Sequence, residues 1–556
     1  MRQSLEPHSP APQGPSPLKE KEHGGGFRYH PFLDASEQLG ETVKLNLHQA
    51  RQPEIPLMFP KPVASLTPNT LGYETLPLVK PTGFREYDAR WLFEKELNLM
   101  GVQALGLGLG TLIREMGVKP EIVTGHDYRA YSSAIKMALI NGLMAAGCKV
   151  HDIGLAMSPM AYFAQFELDV PCVAMVTASH NDNGWTGVKM GAQRPVTFGP
   201  DEMNRLKEIV LEGRGTYADG GAYRFVENFA DRYIADLTTR KPYTRKMKVI
   251  AACGNGTAGA FAPGILAKLG VEVIPMDAEL DYTFPRYNPN PEDMEMLHAM
   301  AHAVHEHHAD VALGFDGDGD RCGVVDDEGN EIFADKIGVM LARDLSSLHH
   351  GATFVVDVKS TGLFATDPVL IQNGVKADYW KTGHSYIKRR VADLNALAGF
   401  EKSGHFFFNA PVGRGYDDGL VTAIAVLDML ERNPDKTMAD LYRALPKTWG
   451  TPTMSPHCGD EVKYGVVERV KTDIEALAKN SHAFAGQPIR DIVTVNGIRV
   501  TSEDGTWGLI RASSNKPELV IVCESPVSEA RMREMFKAVD DLIRLSPEVG
   551  AYNQSI

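Results

Sequence analysis

One pattern recurs along most of this 556-residue chain: short runs of β-branched residues alternate with patterns typical of helices. It begins with PEIVTGHD, SSAIKMALINGLMAAG, CKVHDIG and CVAMVTASH, an order typical of a parallel sheet with crossover helices. It restarts at KVIAACGNG and ends in VALGFDGDGDR, and a third cycle runs from ATFVVDVKST to AGFEKSGHFFF. The pattern predicts an α/β protein with three similar domains in tandem, each built on a mixed sheet.

The last hundred residues follow a different pattern. The segments IVTVNGIRVTSEDGTWGLIRASS and PELVIVCES alternate as antiparallel strands and precede the helix SEARMREMFKAVDDLIRL. This predicts a fourth domain of the α+β class, with clefts between the domains. The predicted divisions are a partly disordered N-terminal extension at 1–80, domain 1 at 81–240, domain 2 at 241–345, domain 3 at 346–450 and domain 4 at 451–556.

Composition and charge narrow the classes of partner. The formal net charge is -14, which argues against nucleic acid because phosphate-backbone binding needs a basic face. The six cysteines are far apart with no Cys-x-x-Cys pattern, so neither a zinc site nor a disulfide framework is indicated. No apolar run reaches bilayer-spanning length, and the N-terminal MRQSLEPHSP lacks an apolar signal core. We therefore expect a cytoplasmic protein without a membrane partner.

The segment VTASHNDNGWTGVKM follows an apolar strand, and open α/β sheets bind ligands at the carboxyl ends of their strands. Ser179 is expected there with an exposed hydroxyl, and Lys189 is expected to return to the same face. A Ser/Asn turn without chemistry is an equally good interpretation of this segment alone. A serine hydrolase is disfavoured, because no Gly-x-Ser-x-Gly motif surrounds Ser179.

Another apolar strand leads into GFDGDGDR, where Asp316, Asp318 and Asp320 stand at every second residue and Arg321 follows. The intervening glycines permit a turn that lets the three carboxylates converge. Clustered carboxylates repel one another, and a hard, oxygen-preferring ion such as Mg²⁺ removes that conflict. An EF-hand needs glycine where Arg321 stands, so the loop predicts a magnesium site of another kind. A solvated acidic turn is the alternative.

Two further loops carry side chains suited to a phosphorylated sugar. In FEKSGH, Glu401, Ser403 and His405 alternate and can project together toward sugar hydroxyls. In GLIRASSNKP, Arg511 offers a fork that fits a phosphate. A surface loop and an ordinary hairpin turn are the alternatives for these two segments. The short donors that follow Arg511 are Ser513, Ser514 and Asn515.

A glycine-rich segment points to a different class of protein. The residues from Gly254 to Gly259 match Gly-x-Gly-x-x-Gly after a strand, and Asp277 ends the next strand about 20 residues later. A dinucleotide-dependent oxidoreductase is therefore the alternative of another class. We favour a tight strand-to-helix turn, because a dehydrogenase leaves the aspartates and the Ser179 and Arg511 loops without a role.

Taken together and in this order, TASHN, DGDGDR, EKSGH and RASSN resemble the four signature loops of the α-D-phosphohexomutase superfamily. The resemblance covers residues from about 82 to 548. FREYDAR, DVKST, WKTGHSYIK and GYDDGL are similar to segments of its bacterial phosphomannomutase/phosphoglucomutase branch. That family has three α/β domains and a fourth of another type around a central cleft. DGDGDR differs from the DGDADR typical of phosphoglucosamine mutases, which remain an alternative.

The resemblance implies a phosphohexomutase that interconverts the 1-phosphate and 6-phosphate of mannose or glucose through a hexose 1,6-bisphosphate. It implies that Ser179 is the phosphoserine and holds Mg²⁺ with Asp316, Asp318 and Asp320. It also implies a phosphate-transfer group of Arg90, Lys189 and Arg321, acid/base candidates Lys189, His384 and His405, and substrate contacts from Lys359, Glu401, Ser403, Arg511, Ser513, Ser514 and Asn515. The expected partners are hexose phosphates and a bisphosphate activator, with the chain as a monomer or homodimer.

Overall fold

Four sheets make up the part of the chain that the computed structural model describes, residues 59–514 and 516–554. Three sheets that contain parallel strands precede one antiparallel sheet, which confirms the predicted fold class. The predicted extension falls largely on residues 1–58, outside the described ranges; residues 59–80 include the short helix α1 (Leu71–Thr75). No helix in the described ranges is long and apolar enough to cross a membrane.

The first sheet has six strands in the order β1-β5-β4-β2-β3-β6, and β5 is antiparallel to both of its neighbours. The strands are β1 (Ala89–Leu92), β2 (Glu121–His126), β3 (Lys149–Leu155), β4 (Cys172–Val176), β5 (Trp185–Gly191) and β6 (Ala222–Phe225). The helices are α2 (Leu99–Glu115), α3 (Ser132–Ala145), α4 (Ser158–Glu167), α5 (Pro200–Leu211) and α6 (Phe229–Thr238).

Both faces of the first sheet are buried, because successive side chains of a strand point to opposite faces. Along β4, Cys172 and Ala174 belong to one apolar cluster, whereas Val173 and Met175 belong to another. Helices α2, α3 and α5 contribute to the first cluster and α4 and α6 to the second. The second cluster continues into the next two sheets, so α4 and α6 lie where the first sheet meets them.

The second sheet has the order β11-β10-β9-β7-β8, with parallel strands at its centre and an antiparallel hairpin at one edge. Its strands are β7 (Lys248–Ala252), β8 (Glu272–Met276), β9 (Val311–Phe315), β10 (Cys322–Asp326) and β11 (Glu331–Ile332). Its helices are α7 (Ala262–Lys268) and α8 (Met294–His307). The hairpin matters for function, because the acidic loop connects β9 to β10.

The third sheet has four strands in the order β13-β12-β14-β15, and only β15 is antiparallel. Its strands are β12 (Thr353–Asp357), β13 (Lys376–Trp380), β14 (Ala398–Phe400) and β15 (Phe406–Phe408). The accompanying helices are α9 (Ala334–Leu348), α10 (Leu363–Thr366), α11 (Pro368–Gln372), α12 (His384–Leu394), α13 (Gly419–Arg432) and α14 (Met438–Arg443). The second and third sheets thus repeat a strand, loop and antiparallel return, as the first does.

The fourth sheet is antiparallel throughout, in the order β16-β21-β20-β19-β18-β17. Its strands are β16 (Trp449–Gly450), β17 (Ala483–Phe484), β18 (Gln487–Val493), β19 (Ile498–Ser502), β20 (Trp507–Ala512) and β21 (Leu519–Ser525). Helices α15 (Lys463–Lys479) and α16 (Glu529–Ile543) cover one face. On the other face, Trp507, Leu509 and Val522 pack around Val358, which follows β12.

A buried ion pair joins this other face to the third sheet. The Nζ atom of Lys336 on α9 lies 2.5 Å from Oε1 of Glu524 on β21. Thr361, Thr448 and Trp507 also donate side-chain hydrogen bonds to the Glu524 carboxylate. Although burial alone raises the pKa of Glu524, the charge and hydrogen bond of Lys336 hold it well below its usual range, with help from the Gly362 amide and Thr448. The ionised carboxylate is therefore part of the fold.

We expect Glu524→Gln to destabilise the fourth sheet by about 2 kcal/mol at neutral pH, because the partly buried Lys336 loses the carboxylate that balances its charge. The Glu524 pKa is lowered by folding, so its stabilisation is complete above the ordinary glutamate pKa of about 4.3 and is lost as pH falls toward the folded-state value. Native-state hydrogen exchange of the β21 amides measures the effect. The control is Glu534→Gln, since Glu534 pairs with Arg531 at the surface. Equal protection in both variants would contradict the expectation.

Candidate active site

Ser179 lies in the loop between β4 and β5, and its side chain is almost fully buried. Its φ of +50° is in the left-handed region, which is costly for a residue with a Cβ and persists only where the surroundings hold it. Arg129 provides that support, because its Nη2 donates to the carbonyl oxygens of Ser179 at 3.0 Å and Asn181 at 2.6 Å. The Ser179 hydroxyl donates to Oδ2 of Asp316 at 2.8 Å.

The acidic loop between β9 and β10 packs directly on the serine loop. A Cβ at Gly317 would lie 2.4 Å from the carbonyl oxygen of Ser179, so only glycine allows this approach. Asp316, Asp318 and Asp320 are fully buried, and each offers a carboxylate oxygen within 4.8 Å of the others. The structure therefore brings the predicted serine and the predicted aspartates into one pocket.

The buried charge of the three aspartates is partly balanced by Lys189 on β5. Its Nζ donates to Oδ2 of Asp318 at 2.7 Å and also to Oδ2 of Asp320. Although burial acts to lower the pKa of Lys189, these two carboxylates raise it well above its usual range. Burial and the charges of Asp320 and Asp318 together raise the pKa of Asp316 to about 8. The site thus concentrates more negative charge than its own lysine neutralises.

The donor set suits a hard divalent cation, since three carboxylates and the Ser179 hydroxyl are all oxygen ligands. Oδ1 of Asp318 is buried and has no hydrogen-bond partner among the described residues, which leaves a free ligand atom in the cluster. Oδ2 of the same carboxylate accepts from the Ser158 hydroxyl at 2.5 Å, and this bond orients it. The residues present therefore fit a metal ion held by oxygen.

Two arginines flank the pocket. Arg90 on β1 pairs with Asp88 at 2.9 Å. Burial acts to lower the pKa of Arg90, but the charges of Asp88 and Asp318 outweigh it and raise the pKa. Arg321 follows the acidic loop, and its Nε lies 3.7 Å from Oδ2 of Asp316. Both cations thus lie beside the aspartate cluster.

The two predicted histidines lie next to each other, and their pKa values are shifted in opposite directions. Their rings are 5.8 Å apart between centroids. Burial and the nearby Lys388 lower the pKa of His384 well below its usual range. Burial and Arg321 also act to lower the pKa of His405, but Asp320 and Glu401 outweigh them and raise it to about 9. The shifts favour the protonated form of His405 and the neutral form of His384.

The predicted sugar-binding residues adjoin His405. Oε2 of Glu401 lies 3.1 Å from Nδ1 of His405, and the Ser403 hydroxyl lies 3.2 Å from the same nitrogen. Lys359 follows β12, and its Nζ lies 3.7 Å from Oε1 of Glu292. Since Oε2 of Glu292 is 3.9 Å from Nη1 of Arg321, one carboxylate connects Lys359 with the rim of the metal pocket.

The fourth predicted loop follows β20 in the fourth domain and faces the third domain. Arg511 is the penultimate residue of β20, and its Nη1 donates to the carbonyl oxygen of Ala512 at 2.8 Å. The carbonyl oxygen of Ser513 accepts from the buried Nζ of Lys463 on α15. Arg511 also interacts electrostatically with Asp357, the last residue of β12. Ser514 is half-buried, and Asn515 lies outside the described residues.

Several residues of the site were missed by sequence reasoning. Asp127 accepts from the Thr177 hydroxyl and the Ala178 amide, and so shapes the serine loop together with Arg129. Asp127 and Arg129 follow the carboxyl end of β2, and Ser158 follows that of β3. Parallel sheets bind ligands at these ends, so that rule could have found all three residues. Glu86 had no comparable signal: its carboxylate accepts from Tyr386 at 2.8 Å and from Tyr464 at 2.6 Å, which links the segment before β1 to helices α12 and α15.

The glycine-rich segment forms a tight turn, as favoured from the sequence. The amides that would have to meet a pyrophosphate are used within the chain: Asn255 donates to the Asp277 carbonyl, and Thr257 donates to the Gly317 carbonyl at 3.0 Å. The Asp277 carboxylate is bound by Arg286 and Tyr287. This segment supports the acidic loop and leaves the oxidoreductase alternative without a site.

Four consecutive family models match the chain, all of the phosphoglucomutase/phosphomannomutase type: alpha/beta/alpha domains I, II and III at 81–215, 225–329 and 333–449, and the C-terminal domain at 461–542. A phosphomannomutase/phosphoglucomutase of Pseudomonas putida is 32% identical over 468 residues, which cover 84% of this chain and 96% of that protein. The chain belongs to the phosphoglucomutase/phosphomannomutase family. The predicted family is thereby confirmed, whereas the predicted domain boundaries stay predictions.

Other members of the family share this coverage. A phosphoglucomutase of Neisseria meningitidis serogroup A is 31% identical over 458 residues, 82% of this chain and 96% of that protein. The crystal structure of a phosphoglucomutase/phosphomannomutase family protein from Burkholderia thailandensis has a TM-score of 0.76 at 28% identity and covers 86% of this chain and all of that one. A Thermus thermophilus structure at 22% identity, which covers 84% of this chain and 100% of that one, has a TM-score of 0.69 and supports the fold alone.

Proposed function

We propose that this family member is a phosphohexomutase that interconverts the 1-phosphate and 6-phosphate of a hexose, with Ser179 as the carrier of the phosphoryl group. The observation that carries the proposal is the Ser179 hydroxyl held 2.8 Å from Asp316 inside the buried aspartate cluster. A nucleophile next to a site for a divalent cation is what phosphoryl transfer requires. Mannose and glucose are the sugars to be distinguished.

We assign the metal as Mg²⁺, held by Asp316, Asp318, Asp320 and the oxygen of Ser179. When bound, Mg²⁺ neutralises charge that builds up on the transferring phosphoryl oxygens. Arg90, Lys189 and Arg321 add fixed positive charge around the same group. Because Lys189 already contacts two of the carboxylates, its ammonium also limits their mutual repulsion.

The reaction proceeds in two transfers. Phosphorylated Ser179 first gives its phosphoryl group to the free hydroxyl of the hexose phosphate: the bond to the serine oxygen breaks, a bond to the sugar oxygen forms, and the hydroxyl proton passes to a base of the site. The serine oxygen that is left takes up a proton, so Ser179 is again a hydroxyl while the hexose 1,6-bisphosphate turns end for end. In the second transfer the bond from the other phosphoryl group to its sugar oxygen breaks and a bond to the Ser179 oxygen forms. The serine proton passes to a base of the site, and the sugar oxygen receives a proton from an acid of the site. Water must be excluded meanwhile, and the nearly complete burial of Ser179 serves this.

Glu401, Ser403 and Lys359 are proposed to bind the sugar, and Arg511, Ser513, Ser514 and Asn515 to bind the phosphate that is not reacting. Separate binding of that phosphate lets either end of the sugar reach Ser179. The chemistry of these groups supports the assignment: carboxylate and hydroxyl match sugar hydroxyls, and a guanidinium matches a phosphate dianion.

His405 is proposed to transfer the proton of the sugar oxygen, because its ring lies between Asp320 of the metal cluster and Glu401 of the sugar site. We expect His405→Gln to lower kcat about 100-fold with a smaller change in KM, as removal of a general acid or base usually does. Steady-state kinetics at one pH test this. His151→Gln is the control, since His151 lies on β3 at the far side of the first sheet. A normal kcat in His405→Gln would assign the proton transfer to His384 or Lys189.

The proposed function is tested by supplying glucose 1-phosphate, mannose 1-phosphate or glucosamine 1-phosphate with Mg²⁺ and a trace of the matching bisphosphate. Formation of the 6-phosphate from the first or second sugar is expected. Exclusive turnover of glucosamine 1-phosphate would replace this function by that of a phosphoglucosamine mutase. Binding without turnover of any of the three would refute a mutase altogether.

Cellular location and oligomeric state complete the proposal. We propose a cytoplasmic location, which is supported by six buried cysteines that are all free. Whether the enzyme acts as a monomer or a homodimer stays a prediction, and light scattering of the purified protein decides it.

A further inference from the structure

One buried arginine of the fourth sheet holds the loop that carries Lys359. Arg499 lies on β19 and is 5% exposed. Its Nη1 donates to the carbonyl oxygen of Val358 at 2.9 Å and to that of Ser360 at 2.8 Å. These two residues precede and follow Lys359 in the chain. A single guanidinium nitrogen therefore binds the backbone on both sides of Lys359.

The guanidinium of Arg499 is itself held between two aromatic rings. Its Cζ lies 3.6 Å from the ring centroid of Trp507 and 4.6 Å from that of Tyr379. The Tyr379 hydroxyl donates to the carbonyl oxygen of Thr361, two residues beyond Lys359. A planar, delocalised cation stacks in such a slot, whereas a lysine ammonium does not. The arrangement is therefore specific for arginine.

Arg499 shares its sheet face with Arg511. Arg499 stands opposite Leu509 in the pairing of β19 with β20, and Arg511 is two residues beyond Leu509 on the same face. Leu509 also packs with Val358 in one apolar cluster. The strand that carries Arg511 and the loop that carries Lys359 are thus joined by Arg499 and by the apolar contacts beside it.

The position of Lys359 matters because its side chain is buried to 6% exposure in the cleft. Glu292 lies 3.7 Å from Nζ of Lys359 and 3.9 Å from Nη1 of Arg321, so its carboxylate links Lys359 to the arginine that follows the acidic loop. Lys359 and Arg511 come from different domains, yet both act on Asp357. One hexose phosphate can meet both cations only if the two domains keep them at a set separation.

We propose that Arg499 is a positioning residue that sets the place of Lys359 relative to Arg511, so that both bind one hexose phosphate. The proposal rests on the proposed function and adds a residue that touches neither sugar nor phosphate. Arg499 acts through the carbonyl oxygens that flank Lys359, and its loss displaces Lys359 without removing it.

The test compares the kinetics of Arg499→Lys with those of the wild-type enzyme. The same comparison is then made in proteins that also carry Lys359→Met. We expect Arg499→Lys to raise KM for the hexose 1-phosphate about tenfold, with kcat changed less than about threefold, because one charged hydrogen bond of the pair is lost. In a Lys359→Met background, Arg499→Lys should change KM less than about twofold, since the two residues act in series. Arg490→Lys is the control, because Arg490 lies exposed on β18 of the same sheet.

Tyr379→Leu is the second variant, in case Arg499→Lys does not fold. It removes one ring of the slot, and we expect KM to rise about threefold, again only when Lys359 is present. Equal effects of either substitution with and without Lys359 would mean a purely structural role and would overturn the proposal. An unchanged KM in folded Arg499→Lys would overturn it too. An inactive wild-type enzyme and an inactive Arg490→Lys control would instead refute the proposed function.

Discussion

Ser179→Ala is expected to lower the rate of hexose-phosphate isomerisation by at least about 10³-fold, since loss of a covalent nucleophile usually costs more than that. The Ser179 hydroxyl faces Asp316. In the proposed reaction its oxygen carries the phosphoryl group before the first transfer and again after the second. Alanine keeps the Cβ and therefore does not relieve the left-handed backbone at this position. The loss should thus be chemical and not conformational.

The measurement combines turnover with the state of the enzyme. Wild-type protein incubated with hexose 1,6-bisphosphate should gain the mass of one phosphoryl group on the peptide that contains Ser179, and the alanine variant should gain none. Ser346→Ala is the matched control, because Ser346 is also buried but lies on α9, where its hydroxyl bonds to the Arg343 carbonyl oxygen and to Asn373. An alanine variant at 179 that still isomerises the sugar would show that another group carries the phosphoryl.

Asp318→Asn is expected to reduce kcat/KM about 100-fold or more and to weaken Mg²⁺ binding by a similar factor. Asparagine keeps the size of the side chain and can still accept from the Ser158 hydroxyl, but it brings no negative charge. Oδ1 of Asp318, one of two carboxylate oxygens of the cluster without a hydrogen-bond partner among the described residues, is the atom whose role is tested. The fold should survive, because the substitution also reduces repulsion within the cluster.

Thermal unfolding with and without Mg²⁺ separates the metal site from catalysis. The wild-type midpoint should rise with Mg²⁺, whereas that of Asp318→Asn should not, since a ligand stabilises only the state that binds it. Asp152→Asn is the matched control: Asp152 is also buried and pairs with a lysine, Lys136, at 2.6 Å, but it lies on β3. Equal stabilisation by Mg²⁺ in all three proteins would place the metal elsewhere.

The most informative segments of the sequence were those in which a strand pattern ends at a polar loop. VTASHN and GFDGDGDR follow β4 and β9, and parallel strands present such loops at one edge of a sheet. The residue types then indicated the chemistry, because three alternating aspartates suit an oxygen-bound metal.

Other contacts of the site join residues that no sequence period relates. Ser158 and Asp318, Arg129 and Ser179, and the Glu86 contacts all lie in separate segments. The charge states of His384 and His405 differ for the same reason: each depends on which buried charges surround the ring. Arg499 is the clearest example. The segment IRVTS predicts only a strand, and the hydrogen bonds of Arg499 go to backbone carbonyl oxygens, which carry no sequence signal.

The sequence by itself determined the order of the four domains, the serine and the aspartates that meet, and the family, because local propensity and strand ends depend only on neighbouring residues. The tertiary structure alone decided which cations balance the aspartates, which histidine carries a proton and how Lys359 is held. Those properties depend on charges and hydrogen-bond partners that lie within a few ångströms in space. Because such partners can be far apart along the chain, the sequence pattern does not reveal them.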